Sequence, residues 1–322
     1  MNWNRTNLSL CALVLACLSG AQTLYAGTTP ASTQGLDFRS WGSGSAKETE
    51  DAAFDGTLSV RISSRNFYQG GIMVFEKPVD LAGAFGDKAN LLRFAVKLPL
   101  KPATGGSGGA LGGGKGGAIG AGGDGPSTGG TASGSGGALA GGEGGGAAAS
   151  GSDLPALTKL RLVLTTSDGK KSEAMLDVST SLADNRGWSQ VGIPLASISG
   201  FDRTNKSITS IAMSCDALAT IYVGEVKILN DPTPVYGTPN HVELNLAIGD
   251  EITFRGSGSA GTTPALFAWD FDESDGVQVD AEGAVVRRKF RKAGSYVVTM
   301  ITKDAYGLKP PHMSKIRVTV NP

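Results

Sequence analysis

Short runs in which apolar and polar residues alternate recur along the chain, and this period of two is typical of half-buried β-strands. In the first two thirds of the chain such runs occupy residues 58–62, 92–98, 160–164, 175–178, 188–195 and 221–228. The turn sequence at 166–170, Thr-Ser-Asp-Gly-Lys, joins the third and fourth runs into a predicted hairpin. No stretch keeps a helical period over three turns, so the pattern predicts an antiparallel β-sandwich.

The alternation restarts after a proline-rich segment and predicts a second sandwich. Strand-like runs occupy residues 242–246, 252–254, 295–300 and 316–320. Three prolines within residues 231–240 predict an extended, stiff linker between the two modules. The chain of 322 residues therefore divides into a first domain at 36–230 and a second domain at 241–322.

Glycine is concentrated in one part of the first domain. Half of the 48 glycines lie between residues 105 and 151, mixed with alanine, serine and threonine. This tract has no apolar period and cannot bury enough surface to offset its conformational entropy, so residues 102–152 are predicted to be a disordered insertion. The free energy of closing a loop grows only logarithmically with its length, so two strands can accommodate the insertion between them.

The N-terminus has the features of an export signal. Arg5 precedes an apolar run at residues 8–18, and small residues follow. We predict a signal peptide at residues 1–26, cleaved after Ala21 or Ala26, and a protein secreted to the periplasm or the extracellular space. The alternative is a lipoprotein signal in which Cys17 carries a lipid anchor at the cell surface. No later apolar run is long enough for a transmembrane span.

Charge and cysteine content exclude some classes of protein. The formal net charge is zero. Binding to a nucleic acid usually requires a strongly basic protein surface, so we expect no nucleic-acid partner. After removal of the signal, Cys215 is the one cysteine that remains in the sequence. No disulfide can then form within the chain, and the apolar neighbours of Cys215 predict a buried thiol.

The second domain resembles a polycystic-kidney-disease (PKD) repeat over its full length. The residues that carry this resemblance are Trp269-Asp270-Phe271, the acidic turn at 272–276, and the alternating Tyr296, Val298 and Met300. The turn is longer than the Gly-Asp-Gly of the family, and Ala293 stands where proline is common. The resemblance implies an immunoglobulin-like β-sandwich with Trp269 in its core.

The first domain is similar in outline to the galactose-binding-like jelly rolls that serve as carbohydrate-binding modules. The similarity rests on residues 68–71, 77–81, 92–98, 187–195 and 221–228. It implies a jelly-roll-like β-sandwich and a carbohydrate ligand. Exposed aromatic rings stack on sugars, and the candidates are Trp41, Phe67, Tyr68 and Trp188, each with core packing as its alternative. Trp41 lies in a Gly-Ser-rich loop and Trp188 begins a strand, which favours exposure for the former and burial for the latter.

The acidic turn of the second domain has two interpretations. Asp270, Asp272 and Asp275 supply the hard oxygen ligands that Ca²⁺ prefers. Their spacing differs from that of an EF-hand loop, and aspartates also form turns by accepting bonds from nearby backbone N–H groups. The sequence leaves a structural turn and a Ca²⁺ site as alternatives.

Nothing in the sequence indicates catalysis. His241 and His312 do not belong to a nucleophile or zinc motif, so we expect no catalytic residues and no enzyme activity. The leading hypothesis is a non-catalytic carbohydrate-binding protein with a polysaccharide partner. The alternatives are a structural or adhesive surface protein that contacts a cell-surface protein, and an accessory part of a polysaccharide-processing system.

Overall fold

The computed structural model of the protein describes residues 21–99, 157–178 and 183–322. Residues 1–20 of the predicted export signal and the predicted glycine-rich insertion at 102–152 lie outside the described residues. Within those residues nearly all of the regular secondary structure is β-strand, arranged in two sandwiches, which confirms the predicted all-β fold class. No helix in this part of the chain is both long and apolar enough to cross a membrane.

Besides three short 3₁₀ turns, the described residues of the first module contain eleven strands and one α-helical turn. They are β1 (Gln22–Ala26), β2 (Leu36–Trp41), β3 (Ser45–Thr49), β4 (Ser59–Ser64), β5 (Gly70–Asp80), α1 (Ala82–Phe85), β6 (Asn90–Lys97), β7 (Lys159–Thr166), β8 (Lys171–Asp177), β9 (Trp188–Pro194), β10 (Ser207–Cys215) and β11 (Ala219–Asn230).

Two antiparallel sheets form this sandwich. The first has the order β3-β4-β11-β6-β9, and β1 also pairs with β11. The second has the order β2-β5-β10-β7-β8. Alternate residues of each strand point between the sheets, and their apolar side chains, among them Phe94, Leu162 and Ile221, form one buried core. Cys215 is part of that core, as predicted.

The second module contains eight strands. They are β12 (Tyr236–Pro239), β13 (Glu243–Ala247), β14 (Glu251–Ser259), β15 (Ala265–Asp270), β16 (Ala281–Glu282), β17 (Val285–Lys289), β18 (Gly294–Asp304) and β19 (His312–Asn321). A three-stranded sheet, β12-β14-β17, faces a five-stranded sheet, β13-β19-β18-β15-β16. Trp269 is fully buried between them, with the rings of Phe254 and Phe271 packed into the same core.

Strand β1 changes the boundary predicted for the export signal. Tyr25 is fully buried in the core of the first module, and its ring packs edge-on against Phe38. A signal peptide that extended to residue 26 would remove this strand from the edge of β11. The apolar and small residues that resemble the end of a signal therefore include a strand of the folded protein, and cleavage after Ala21 is the alternative that leaves it in place.

The predicted linker at 231–240 also contains regular structure. Residues 236–239 form β12, which pairs with the end of β14. Proline was the basis for predicting an extended linker, but an edge strand requires the same extended backbone. Pro239 is the last residue of β12, where a missing N–H is tolerated.

A buried ion pair joins the two modules next to this segment. Asp231 follows β11 directly, and its Oδ2 accepts hydrogen bonds from the backbone N (2.8 Å) and hydroxyl (3.0 Å) of Thr262 and from Lys309 Nζ (2.8 Å). Lys309 Nζ also donates to Ala260 O at 2.6 Å. Burial disfavours the charge of Asp231, but hydrogen bonds, above all that from Lys309, outweigh burial and hold its pKa well below the ordinary value.

The space around this ion pair requires a glycine. Gly261 has φ +75°, and a Cβ added there would lie 2.2 Å from Asp231 Oδ2. Beside it, the backbone N of Gly192 in β9 donates to Thr262 O at 2.7 Å. Tyr306, from the β18–β19 connection, packs against the core of the first module. The modules are thus joined by polar and apolar contacts in addition to the chain itself.

Candidate functional site

The outward face of the second sheet of the first module brings together three of the four predicted aromatic residues. Strand pairing places Trp41 opposite Gly70, and Arg161 opposite both Ser214 and Met175. Because residues that alternate along a strand share a face, these side chains form one row across the sheet on the side away from the core. Tyr68 and Phe67 lie in the loop that leads into β5 at the same end of the sheet.

Small residues in the middle of this row allow the long ones to meet. A Cβ added to Gly70 would lie 2.1 Å from the carbonyl oxygen of Met213, so no larger residue fits there without a shift of the backbone. With only Gly70 and Ser214 between them, Trp41 and Arg161 approach each other over the sheet. The guanidinium carbon of Arg161 lies 5.2 Å from the ring centroid of Trp41 and 4.9 Å from that of Tyr68.

Arg161 is fixed in this position by three hydrogen bonds. Its Nε and Nη2 donate to the two carboxylate oxygens of Glu173, each at 2.7 Å, and its Nη1 donates to Phe67 O at 3.0 Å. The bonds to Glu173 raise the pKa of Arg161 and lower that of Glu173, so both groups stay charged. The side chain of Arg161 is only 12% exposed, whereas Tyr68 is 69% exposed. The guanidinium therefore supports the two rings from below, and solvent reaches the ring of Tyr68.

The loop beneath Tyr68 is held by its own hydrogen bonds. Asn66 Oδ1 accepts from the backbone N of Tyr68 at 2.9 Å, and Ser214 Oγ donates to Phe67 O at 2.7 Å. Gln69 accepts a hydrogen bond from Ser43 Oγ at 2.5 Å, which ties the loop to the turn after Trp41. The rings of Trp41 and Tyr68 consequently belong to one ordered surface with Arg161, Glu173 and the backbone carbonyl of Phe67, and we call this surface the aromatic cluster.

Trp188 lies elsewhere and is excluded from this cluster. It belongs to β9 of the first sheet, is 2% exposed, and packs edge-on against Phe54 with 5.5 Å between ring centroids. Trp188 is therefore a packed, buried residue, as its position at the start of a strand favours. A sugar could not reach this ring unless the segment around Phe54 moved away.

The aspartates of the second module use their carboxylates for local turns. Asp270 is 1% exposed, and its two oxygens accept from the backbone N of Asp272 at 2.9 Å and of Gln278 at 3.2 Å. Asp272 accepts from Ser274 N at 3.2 Å, and Asp275 is exposed. Within the described residues no group of three acidic, histidine or cysteine side chains is arranged to hold a metal ion. This geometry corresponds to the structural-turn alternative.

Two residues of the aromatic cluster were not identified from the sequence. Alternation in 160–164 places Arg161 on the polar side of its strand, but its neighbours depend on the register with β10 and β8. Glu173 lies in β8, diagonal to Arg161, but before residues 175–178, which the alternation predicts as the return strand of the hairpin.

Comparison with known proteins identifies the second module. The sequence model of the PKD domain matches residues 232–320. This part of the chain is a PKD domain. Its buried Trp269, whose Nε1 donates to Gly283 O at 2.9 Å, confirms the position that the resemblance implied for this residue. The PKD domain is a non-catalytic immunoglobulin-like module, and its match begins within the segment that was predicted to be a linker.

The remaining comparisons give no second family. No curated protein matches the sequence significantly. Among solved structures that match is the extracellular domain of a hybrid two-component system protein from B. thetaiotaomicron, with 12% sequence identity and a TM-score of 0.24. The match covers 51% of this chain and 26% of that chain.

Proposed function

We propose that the protein is an exported, non-catalytic carbohydrate-binding protein whose site is the aromatic cluster. The observation that carries this proposal is the pair of rings of Trp41 and Tyr68 held on one buried guanidinium, with Tyr68 largely open to solvent. An aromatic ring offers a flat apolar face, and the C–H face of a sugar ring is a complementary surface for it.

The support beneath the rings favours binding over mere exposure of two aromatic residues. Side chains that are ordered before a ligand arrives lose little entropy when it binds. Arg161 is held by Glu173 and by the carbonyl of Phe67, so the rings above it start from a restricted geometry. An isolated exposed tyrosine would have no such support.

Polar groups beside the rings can serve the hydroxyls of a sugar. The side chain of Glu173 is 44% exposed, so part of its carboxylate remains accessible as an acceptor while it holds Arg161. The amide of Gln69 lies in the same loop. A few polar groups next to an apolar ring are the usual composition of a small-ligand site.

Secretion or attachment at the cell surface belongs to the same proposal. It rests on the N-terminal sequence pattern, with cleavage after Ala21 preferred because β1 then stays in the fold. A lipid anchor at Cys17 is the alternative. The presence of a PKD domain supports a function in contacts outside the cell. A polysaccharide is the preferred partner in this proposal, and a cell-surface protein is the alternative.

A glycan array combined with pull-down on insoluble polysaccharides tests the proposal. We expect saturable binding by the purified protein, and a loss of about tenfold or more in affinity for Trp41→Ala and for Tyr68→Ala, because each removes one stacking face. Tyr236→Ala is the matched control, since Tyr236 is 55% exposed but lies in the PKD domain. If all four proteins bind equally, the site is wrong. If none binds any glycan, the adhesive function with a protein partner takes its place.

A further inference from the structure

A row of basic side chains lies on the outward face of the three-stranded sheet of the PKD domain. In β17 and just beyond it, Val286 and Phe290 point into the core and are 8% and 4% exposed. Alternation along a strand then directs Arg287 and Lys289 to the opposite side, and both are exposed. Arg291, two residues further on, is also exposed.

The neighbouring strand adds to the same face. The register of β14 with β17 pairs Arg255 with Val285 and Thr253 with Arg287. Phe254, between them, is fully buried, so Arg255 and Thr253 point outward with the basic residues of β17. Because the side chain of Thr253 is short, the surface beside Arg287 and Arg255 is flat. We call Arg255, Arg287, Lys289 and Arg291 the basic row.

Most of this charge has no partner within the domain. Arg287 has one carboxylate near it, Glu251 at 3.7 Å, in a pair that is 73% and 57% exposed and therefore weak. Within the described residues, no ion pair joins Arg255, Lys289 or Arg291 to a carboxylate. Glu251 is the acidic residue of this face, since it lies opposite Lys289 in the register of β14 with β17. The other acidic residues nearby in the chain lie apart from the row: residues 270–282 contain six of them and no Lys or Arg, and residues 285–292 contain five Lys or Arg and no acid.

We propose that the basic row binds an acidic polysaccharide. Alternate residues of a strand lie about 6.8 Å apart in a straight line, so the cations of β17 form a linear series of charges. An extended polymer with a regular series of carboxylates or sulfates can meet such a series at several points without burying an apolar surface. Because like charges next to one another repel, an anion placed over them relieves this repulsion. The proposal does not rest on the aromatic cluster, which lies in the other module.

The test compares the purified protein on immobilised heparin and polygalacturonate, with neutral dextran as the blank. We expect binding at about 0.05 M salt that is largely lost by about 0.3 M, because surface electrostatics are screened over this range. Arg287→Glu combined with Lys289→Glu is expected to weaken binding about tenfold or more. The control, Lys77→Glu combined with Lys88→Glu, makes the same change of net charge at exposed positions of the first module and should bind like the wild type.

Three outcomes would overturn this inference. An equal loss of glycan binding in both double variants would mean that the net charge of the protein alone determines binding. Tighter binding to double-stranded DNA than to either glycan would indicate a nucleic-acid partner. Salt-sensitive self-association in sedimentation, abolished by the same reversal without any glycan binding, would assign the row to the acidic residues of a second copy. Melting curves of both variants verify folding, and Trp41→Ala should leave heparin retention unchanged.

Discussion

Arg161 is the residue on which the aromatic cluster depends, because it touches both rings and three acceptors. Replacing it with lysine keeps the charge but removes the planar group that stacks on a ring and bonds both oxygens of Glu173. We expect Arg161→Lys to lower glycan affinity about tenfold, as measured by calorimetric titration. Arg186→Lys is the matched control, since the guanidinium of Arg186 lies 5.5 Å from the ring of Phe54 and both residues belong to segments that connect strands, away from the aromatic cluster. Equal effects of both changes would contradict a special role for Arg161.

Asp270 provides a prediction about the stability of the PKD domain. Asp270→Ala leaves the backbone N–H groups of Asp272 and Gln278 without their acceptor, and a lost buried acceptor costs about 1–3 kcal/mol for each group. We expect a decrease of about 2 kcal/mol or more in the free energy of unfolding, measured by chemical denaturation. Asp275→Ala, at an exposed position of the same turn, should change it very little. Similar losses of unfolding free energy in both variants would contradict the assignment of Asp270 as the acceptor that holds this turn.

Whether the acidic turn binds Ca²⁺ can be tested by measuring the Tm of the protein with and without the ion. Because the carboxylates of Asp270 and Asp272 already accept backbone hydrogen bonds, we expect Ca²⁺ to leave the Tm of the protein unchanged. A rise in Tm on adding Ca²⁺ that disappears in the double variant Asp272→Ala, Asp275→Ala would restore the calcium site. A rise that persists in this variant would point to ions elsewhere.

At the scale of single elements, β1 makes a prediction about processing. Tyr25 is fully buried, and a protein cleaved after Ala26 would lose its ring from the core. Mass spectrometry of the exported protein should therefore find an N-terminus at or before Gln22. Tyr25→Ala should destabilise the fold by about 3–5 kcal/mol, the usual loss for a large buried aromatic side chain. A mature, stable chain that begins at Gly27 would show that β1 is dispensable.

The elements differ in how well the sequence predicted them. The alternation in 92–98 and the Trp-Asp-Phe motif at 269–271 predicted strand and core positions, because burial on one face imposes the pattern directly. Strand β1 was assigned to the export signal, because a short apolar segment with small residues satisfies both descriptions. Strand β12 was assigned to a linker for a similar reason, since proline favours extended backbone in either setting.

The aromatic cluster was predictable only in part. Trp41, Phe67 and Tyr68 are candidates because exposed aromatic rings stack on sugars, and the Gly-Ser-rich loop around Trp41 favours exposure of that residue. Their contact with Arg161 depends on how β2, β5, β10 and β7 are ordered and aligned, and residues so far apart in the chain leave no local signal of that order. Trp188 begins a strand, which favours burial, but the sequence does not identify the segment around Phe54 as the part of the chain that covers it.

For the molecule as a whole, the ion pair between Asp231 and Lys309 sets how the two modules unfold. Removing one partner of a buried pair costs about 3–5 kcal/mol because the other charge is left without compensation. We therefore expect Asp231→Asn and Lys309→Met to lower stability, and calorimetry to resolve two transitions where the wild type has one. Asp202→Asn with Arg203→Met, an exposed pair at 3.9 Å, should have almost no effect. Two transitions in the wild type would contradict coupling between the modules.

The depressed pKa of Asp231 gives this joint a pH dependence. A carboxyl group with a lower pKa in the folded state stabilises the fold above its unfolded pKa of about 3.9, and this contribution is lost as the pH falls towards the folded pKa. The wild type should consequently lose stability below about pH 4 more steeply than Asp231→Asn, as followed by urea midpoints at each pH. Parallel curves for the two proteins would mean that other carboxyl groups dominate acid unfolding.

The pairing of β1 with β11 has a consequence for the time at which the protein can fold. Gln22 at the beginning of the chain pairs with Ile228, and the other edge of β11 carries β6. Strands β1 and β6 are synthesised long before β11, so both lack this partner until nearly the whole first module has been made, and contacts so distant in sequence form slowly. Residues 22–26 thus stay unpaired while the rest is made, and under the proposed export a chain that remains unfolded for this interval suits passage across a membrane as an extended thread.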